Sequence, residues 1–140
     1  MSNSCACGGE PHMILACSGG SNVGQLTNQA AVELTREGKG KMFCLIGVGA
    51  QLPGMVKAVE KAAGVVVLDG CAVGCARKAM ENAGLPLGRY VVVTDLGIEK
   101  VKDQALALRD EDVATVKGAA LGLSLSPKPA AAPAGCACSG

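Results

Sequence analysis

Short aliphatic runs alternating with glycine-bounded amphipathic stretches leave this chain few choices of fold. Four runs read as strands: Met13–Cys17 (MILAC), Lys41–Ile46 (KMFCLI), Val65–Leu68 and Tyr90–Thr94. They are nearly continuous in hydrophobicity rather than alternating, which is the pattern of strands covered on both faces. Between the first two, Val23, Leu26, Ala30 and Leu34 recur at helical spacing, with Asn22 placed to cap the start and Gly38 the end. Pro53 opens a helix with Val56, Val59 and Ala63 inward, closed by Gly64. A short helix runs through Ala76, Ala79, Met80 and Ala83 to Gly84. Asp95 or Gly97 begins a further helical stretch, and Asp110 caps a last helix using Val113, Val116, Ala120 and Leu123. Parallel neighbours need crossovers of about a dozen residues or more, and these helices supply them. The expected fold is α/β: a three-layer sandwich with a mostly parallel four-stranded sheet, Rossmann-like or flavodoxin-like.

The pattern occupies residues 12–125 and predicts a single domain there. Met1–Pro11 is small and polar, and Ser126–Gly140 (SPKPAAAPAGCACSG) is rich in proline and alanine, so both are expected to be flexible tails. Each carries a Cys-x-Cys pair, Cys5/Cys7 and Cys136/Cys138. The N-terminal stretch lacks the basic region and apolar core of a secretory signal. No apolar run approaches the roughly 20 residues of a membrane span. A cytoplasmic location is expected. A formal charge of +1 and only two aromatic residues, Phe43 and Tyr90, argue against nucleic acid as a partner.

In a reducing compartment, eight cysteines point to metal or redox chemistry before a disulfide framework. Ligands of such folds bind beyond the carboxyl ends of the strands. Cys17 ends the first run, Cys44 lies in the C-terminal half of the second, and Cys71 follows the third. Cys75 falls in the opening turn of the next helix, able to face the same way as Cys71. One location is thus predicted for all four sulfurs, which must come within about 4 Å of one another to share a zinc ion. For Cys44, between Phe43 and Leu45, the alternative is a small hydrophobe in the core.

Other chemistries find less support. Gly19-x4-Gly24 has the glycine spacing of a phosphate-binding Walker loop, but Gln25-Leu26 replaces the required lysine and hydroxyl residue. No basic residue occurs between Cys17 and Arg36, so a cysteine-phosphatase loop is also disfavoured. What remains is either a helix start beside Cys17 or a tight turn with a cap. Asp95 reads as a cap, while Asp69 could cap, ligate or support a ligand. His12, the only histidine, belongs at the far end of the first strand, which leaves no geometric basis for Cys-His or Ser-His catalysis. Arg77 and Lys78 either offset thiolate charge or form a solvated face.

The segment Asp69-Gly70-Cys71-Ala72-Val73-Gly74-Cys75-Ala76-Arg77-Lys78 closely resembles the central motif of the DGC-domain family. The resemblance extends through CSGGSNVGQLTNQAA (17–31), EGKGKMFCLIGVGA (37–50) and TDLGIEK (94–100), and so covers roughly residues 13–123. That family is regarded as zinc-binding through four cysteines, which correspond here to Cys17, Cys44, Cys71 and Cys75. Ala72 stands where proline is expected in many members, and the Cys-Ala-Cys tails lie outside the resemblance.

The resulting expectation is a Zn2+-binding protein, engaged in metal handling or sensing. Four thiolates would fill the ion's coordination, which favours a binding role over hydrolysis. The alternative is a thiol redox or sulfur-transfer enzyme using Cys17 with Cys71 and Cys75. An iron–sulfur centre is a third reading of the same cysteines.

Overall fold

The computed structural model describes residues 12–103 and 107–122. Its elements run β1 (Met13–Ala16), α1 (Asn22–Arg36), β2 (Lys41–Met42), α2 (Leu45–Gly49), α3 (Pro53–Glu60), β3 (Val65–Asp69), α4 (Cys75–Asn82), β4 (Arg89–Val92) and α5 (Asp110–Ala120). The four strands form one parallel sheet in the order β2-β1-β3-β4. Strand order therefore reverses between β1 and β3, and a crevice is expected beyond their carboxyl ends.

Helices cover both faces of the sheet. Ile14 and Ala16 of β1, with Val66 and Leu68 of β3, pack under Leu26, Ala30 and Leu34 of α1 and Val113 and Val116 of α5. Leu15, Val65 and Val67 turn the other way, onto Val59 of α3 and Ala76 and Met80 of α4. Every residue of β3 is buried, which accounts for its unbroken VVVLD sequence. Full burial of each such aliphatic side chain contributes about 1.5–3 kcal/mol against leaving it in water. Among the described residues, no helix is long and apolar enough to cross a membrane.

Helix ends follow local chemistry. Gly38 adopts a left-handed φ of 71°. Its N–H donates to the Thr35 carbonyl and that of Lys39 to Leu34, closing α1 in a Schellman motif. Gly84 ends α4 in the same way, with Gly84 bonded to Glu81 and Leu85 to Met80. The N-cap of α1 is Ser21, not Asn22: the Ser21 hydroxyl accepts the Gly24 N–H at 3.2 Å.

Three expectations need correction. The run Lys41–Ile46 is not one strand. Its pairing with β1 stops at Met42, Phe43 adds one hydrogen bond to the Ile14 carbonyl, and the chain then turns into α2. Burial there is helical, with Val48 fully buried and Ile46 exposed. Gly47 lets Met55 of α3 lie directly against α2, since a Cβ at that position would overlap the Met55 sulfur. The run Tyr90–Thr94 likewise ends early, in a 3-10 turn over Val93–Leu96 that includes Asp95 and is closed by Gly97 at φ 82°. The cap of α5 falls on Arg109, whose guanidinium holds Asp112 at 2.8 and 2.9 Å, and Asp110 is the first helical residue. The tail assignments, the Cys5/Cys7 and Cys136/Cys138 pairs, and Leu123 lie outside the described residues.

Candidate functional site

The carboxyl ends of β1 and β3 carry the chemistry. Cys17 follows β1 directly, its N–H still bonded to the Leu68 carbonyl of β3 at 2.9 Å. Its sulfur accepts the Gly70 N–H at 3.3 Å and lies 3.6 Å from the Thr27 hydroxyl. Thr27 gives its own proton to the Gly24 carbonyl at 2.6 Å and accepts the Ser18 N–H, so the Cys17 thiol is the donor in that pair.

The following loop is held tightly against the first turn of α1. Gln25 Nε2 donates to the Gly19 carbonyl at 2.9 Å and the Ser18 carbonyl at 3.3 Å. A Cβ on Gly24 would stand 2.5 Å from the Gly19 oxygen, and one on Gly70 would stand 2.7 Å from the Gly24 nitrogen. Close backbone approach, not phosphate spacing, therefore accounts for the glycines at 24 and 70. Asn22 serves to moor a distant segment. Its Oδ1 accepts the Val101 N–H at 2.6 Å and its Nδ2 donates to the Glu99 carbonyl at 2.8 Å, which brings Lys100 and Lys102 to the site.

Asp69 resolves as a cap. The N-cap of α4 is Gly74 at φ 69°, which offers no side chain to the helix start. Asp69, only 1% exposed, replaces it: Oδ1 accepts the Ala76 N–H at 2.8 Å and Oδ2 the Arg77 N–H at 3.0 Å. Oδ2 also accepts the Tyr90 hydroxyl at 2.8 Å. Burial, reinforced by the adjoining carboxylate, pushes the Tyr90 hydroxyl well above the usual phenol range. With its oxygens so engaged, Asp69 is not placed as a metal ligand.

All four predicted cysteines are free thiols and border this end of the sheet, but not as one cluster. A cavity of about 300 Å³ opens between the starts of α1 and α4, bordered by Cys17, Cys71, Cys75, Lys100 and Lys102. An adjoining cavity of about 410 Å³, against β2 and α2, is bordered by Cys17, Cys44, Cys75 and Phe43. Cys17 and Cys75 thus face both spaces, while Cys71 belongs to the first and Cys44 to the second. Cys75 is exposed as the first residue of α4, and Cys44 is exposed as the N-cap of α2 rather than filling the core. Cys71 is half-buried, with the Lys100 ammonium donating to its sulfur at 3.4 Å. Among the described residues, no three His, Cys, Asp or Glu side chains converge closely enough to hold a metal ion. His12 precedes β1 at the opposite end of the sheet, its ring packed on Gly64.

Four contributors escaped the sequence reading: Thr27, Tyr90, Lys100 and Lys102. A helix start with glycine for a cap, following a buried strand-end aspartate, was a usable signal for a remote cap. Nothing local marks Lys100 as a neighbour of Cys71.

The DGC domain family model matches residues 13–120, which span β1 through α5. A curated relative, the anaerobic and virulence modulator AnvM of Pseudomonas aeruginosa strain PAO1, is 31% identical over 88 residues, covering 63% of this chain and 67% of the relative. No solved structure matches. The match embraces the whole described sheet together with the four thiols at its carboxyl rim, and the chain belongs to the DGC-domain family.

Proposed function

We propose that this chain handles a soft metal ion, zinc foremost, on Cys17, Cys44, Cys71 and Cys75. One observation carries the reading: Cys17 and Cys75 border both rim cavities, so each of the other two thiols shares a space with this central pair. The donor set suits the ion, since thiolates favour zinc and copper(I), and the one carboxylate at the rim is committed elsewhere. The sulfurs are not gathered in advance. Loading requires the Cys71 loop and the α2 start to close on the central pair. An ion that must assemble its own ligands suits cargo or a signal better than a structural strut, and the two aliphatic cores are complete without it. The relative's description as a modulator is compatible with sensing. The chemistry requires a reducing compartment, for which the cytoplasm is our reading.

The test is a count of alkylatable thiols with and without one equivalent of zinc, on chain purified without added metal. Protection of all four rim thiols supports the assignment; protection of fewer than three overturns it.

A second reading is thiol exchange or sulfur transfer by Cys17 with Cys71 and Cys75. It is favoured by the donors aimed at two sulfurs, Gly70 N–H on Cys17 and Lys100 on Cys71. One hyper-reactive thiol and a reversible Cys71–Cys75 disulfide, with no protection by zinc, would select it.

A further inference from the structure

We propose that the cavity between the starts of α1 and α4 is a binding site for a small oxyanion, with Lys100 and Lys102 as its cationic arms. The inference concerns the same rim as the metal reading but does not depend on it.

Charge on the cavity wall is one-sided. Two lysines line it, and the single carboxylate there, Asp69, is buried with three hydrogen bonds received. Lys100 has no carboxylate partner among the described residues and rests on the Cys71 sulfur, a weak acceptor that an anion would readily displace. A third cation stands close by. The Arg77 guanidinium lies against Gly74, where a Cβ would be 3.3 Å from Nε, and Gly74 lines the cavity. Arg77 Nε is buried without a hydrogen-bond partner, and its distance to the Glu81 carboxylate is 3.9 Å. An unsatisfied buried donor of that kind is costly and calls for an acceptor.

The backbone adds donors on the opposite wall. The N–H groups of Gly19, Gly20 and Ser21, all cavity-lining residues, have no acceptor among the described residues. The sequence excluded a Walker-type site because the loop after Cys17 holds no cation. In three dimensions the cations arrive from another segment, moored by Asn22 through Val101 and Glu99. A volume of about 300 Å³ suits an oxyanion bearing a small organic body, not a nucleoside triphosphate. Cys17, Cys71 and Cys75 then flank the bound anion.

Inorganic phosphate is the probe. It is titrated into the full chain, reduced and with chelator present, at constant ionic strength set by chloride, and amide shifts are followed. Saturable shifts at Gly19–Ser21 and Lys100–Lys102 are expected, with a dissociation constant of about a millimolar or below. The pair Lys100→Ala and Lys102→Ala should weaken binding by about tenfold or more with the melting temperature unchanged, whereas Lys117→Ala, on the α5 surface, should not. Should the double alanine variant lose stability, Lys100→Gln with Lys102→Gln gives the same comparison with the side-chain stems kept. A wild-type chain showing no saturable shifts, or a double variant binding as tightly as wild type, overturns the site. A chain that takes up zinc yet ignores phosphate sinks this inference and leaves the metal reading standing.

Discussion

Tyr90 donates its hydroxyl to Asp69 Oδ2 at 2.8 Å, which ties β4 to the carboxyl end of β3 at the point where α4 begins. The same carboxylate receives the Ala76 and Arg77 N–H groups, so one buried aspartate fixes the start of α4 and with it the position of Cys75. The family's central Asp-Gly-Cys motif thus joins two roles in three residues. Asp69 sets the helix, Gly70 permits contact with the first turn of α1, and Cys71 faces the cavity.

Removing that post should be expensive. Asp69→Ala leaves two helix N–H groups and a phenol without their acceptor, and a loss of about 3 kcal/mol is expected. Tyr90→Phe keeps the helix cap and should cost only about 1 kcal/mol. Urea unfolding of the two variants beside the parent chain checks the order. Equal effects would mean that the carboxylate serves the tyrosine rather than the helix.

The tyrosine also predicts a pH response. Its folded-state value is raised above that of the unfolded chain, so the neutral phenol is the form the fold prefers. The associated stability is complete below the unfolded value of about 10 and is lost as pH rises from there toward the folded value. Melting temperature should therefore fall more steeply above about pH 10 in the parent chain than in Tyr90→Phe. As this is the only tyrosine, its ionisation is read directly by ultraviolet absorbance and should stay incomplete until the chain unfolds.

Glycine positions offer a contrast within one protein. Gly70→Ala places a methyl group 2.7 Å from the Gly24 nitrogen, a backbone atom that cannot yield without moving α1. A loss of about 2 kcal/mol or more is expected, together with altered reactivity of Cys17, whose sulfur accepts the Gly70 N–H. Gly54→Ala, in the first turn of α3 with nothing within 4 Å, should instead stabilise by about 0.5–1 kcal/mol through reduced chain entropy. Thermal melts of the two proteins should move in opposite directions.

What could be read from the sequence follows from what is local. Strands buried on both faces announce themselves as unbroken aliphatic runs, so β1, β3 and the parallel α/β class were legible, as were the glycine ends of α1 and α4. Once the strands were placed, the shared rim of Cys17, Cys44, Cys71 and Cys75 followed from chain direction alone. The edge was less legible. KMFCLI has strand composition throughout, and only the packing of Gly47 on Met55 makes its second half a helix. Partners far apart in sequence were not legible at all: Asp69 with Tyr90, Asn22 with Val101, and Lys100 with Cys71 depend on contacts that no periodicity encodes. For the same reason, chain direction could bring four sulfurs to one rim without stating that two cavities divide them.

That division makes the cysteines unequal, and this is the sharpest expectation of the metal reading. If zinc is held across the rim, Cys17→Ser and Cys75→Ser each remove a thiol common to both cavities, while Cys44→Ser and Cys71→Ser each leave the central pair and one further thiol. Zinc affinity should drop more for the first two substitutions, by about a further tenfold or more, than for the last two. Because both aliphatic cores close without the ion, the metal-free chain should still unfold cooperatively. Zinc at about 100 times its dissociation constant should add about 2.7 kcal/mol by linkage, and chelator should return the melt to its metal-free value. Affinities ranked by competition with a chromogenic chelator decide the matter. Four equal losses would place the sulfurs around a single point, and no losses would remove them from metal chemistry altogether.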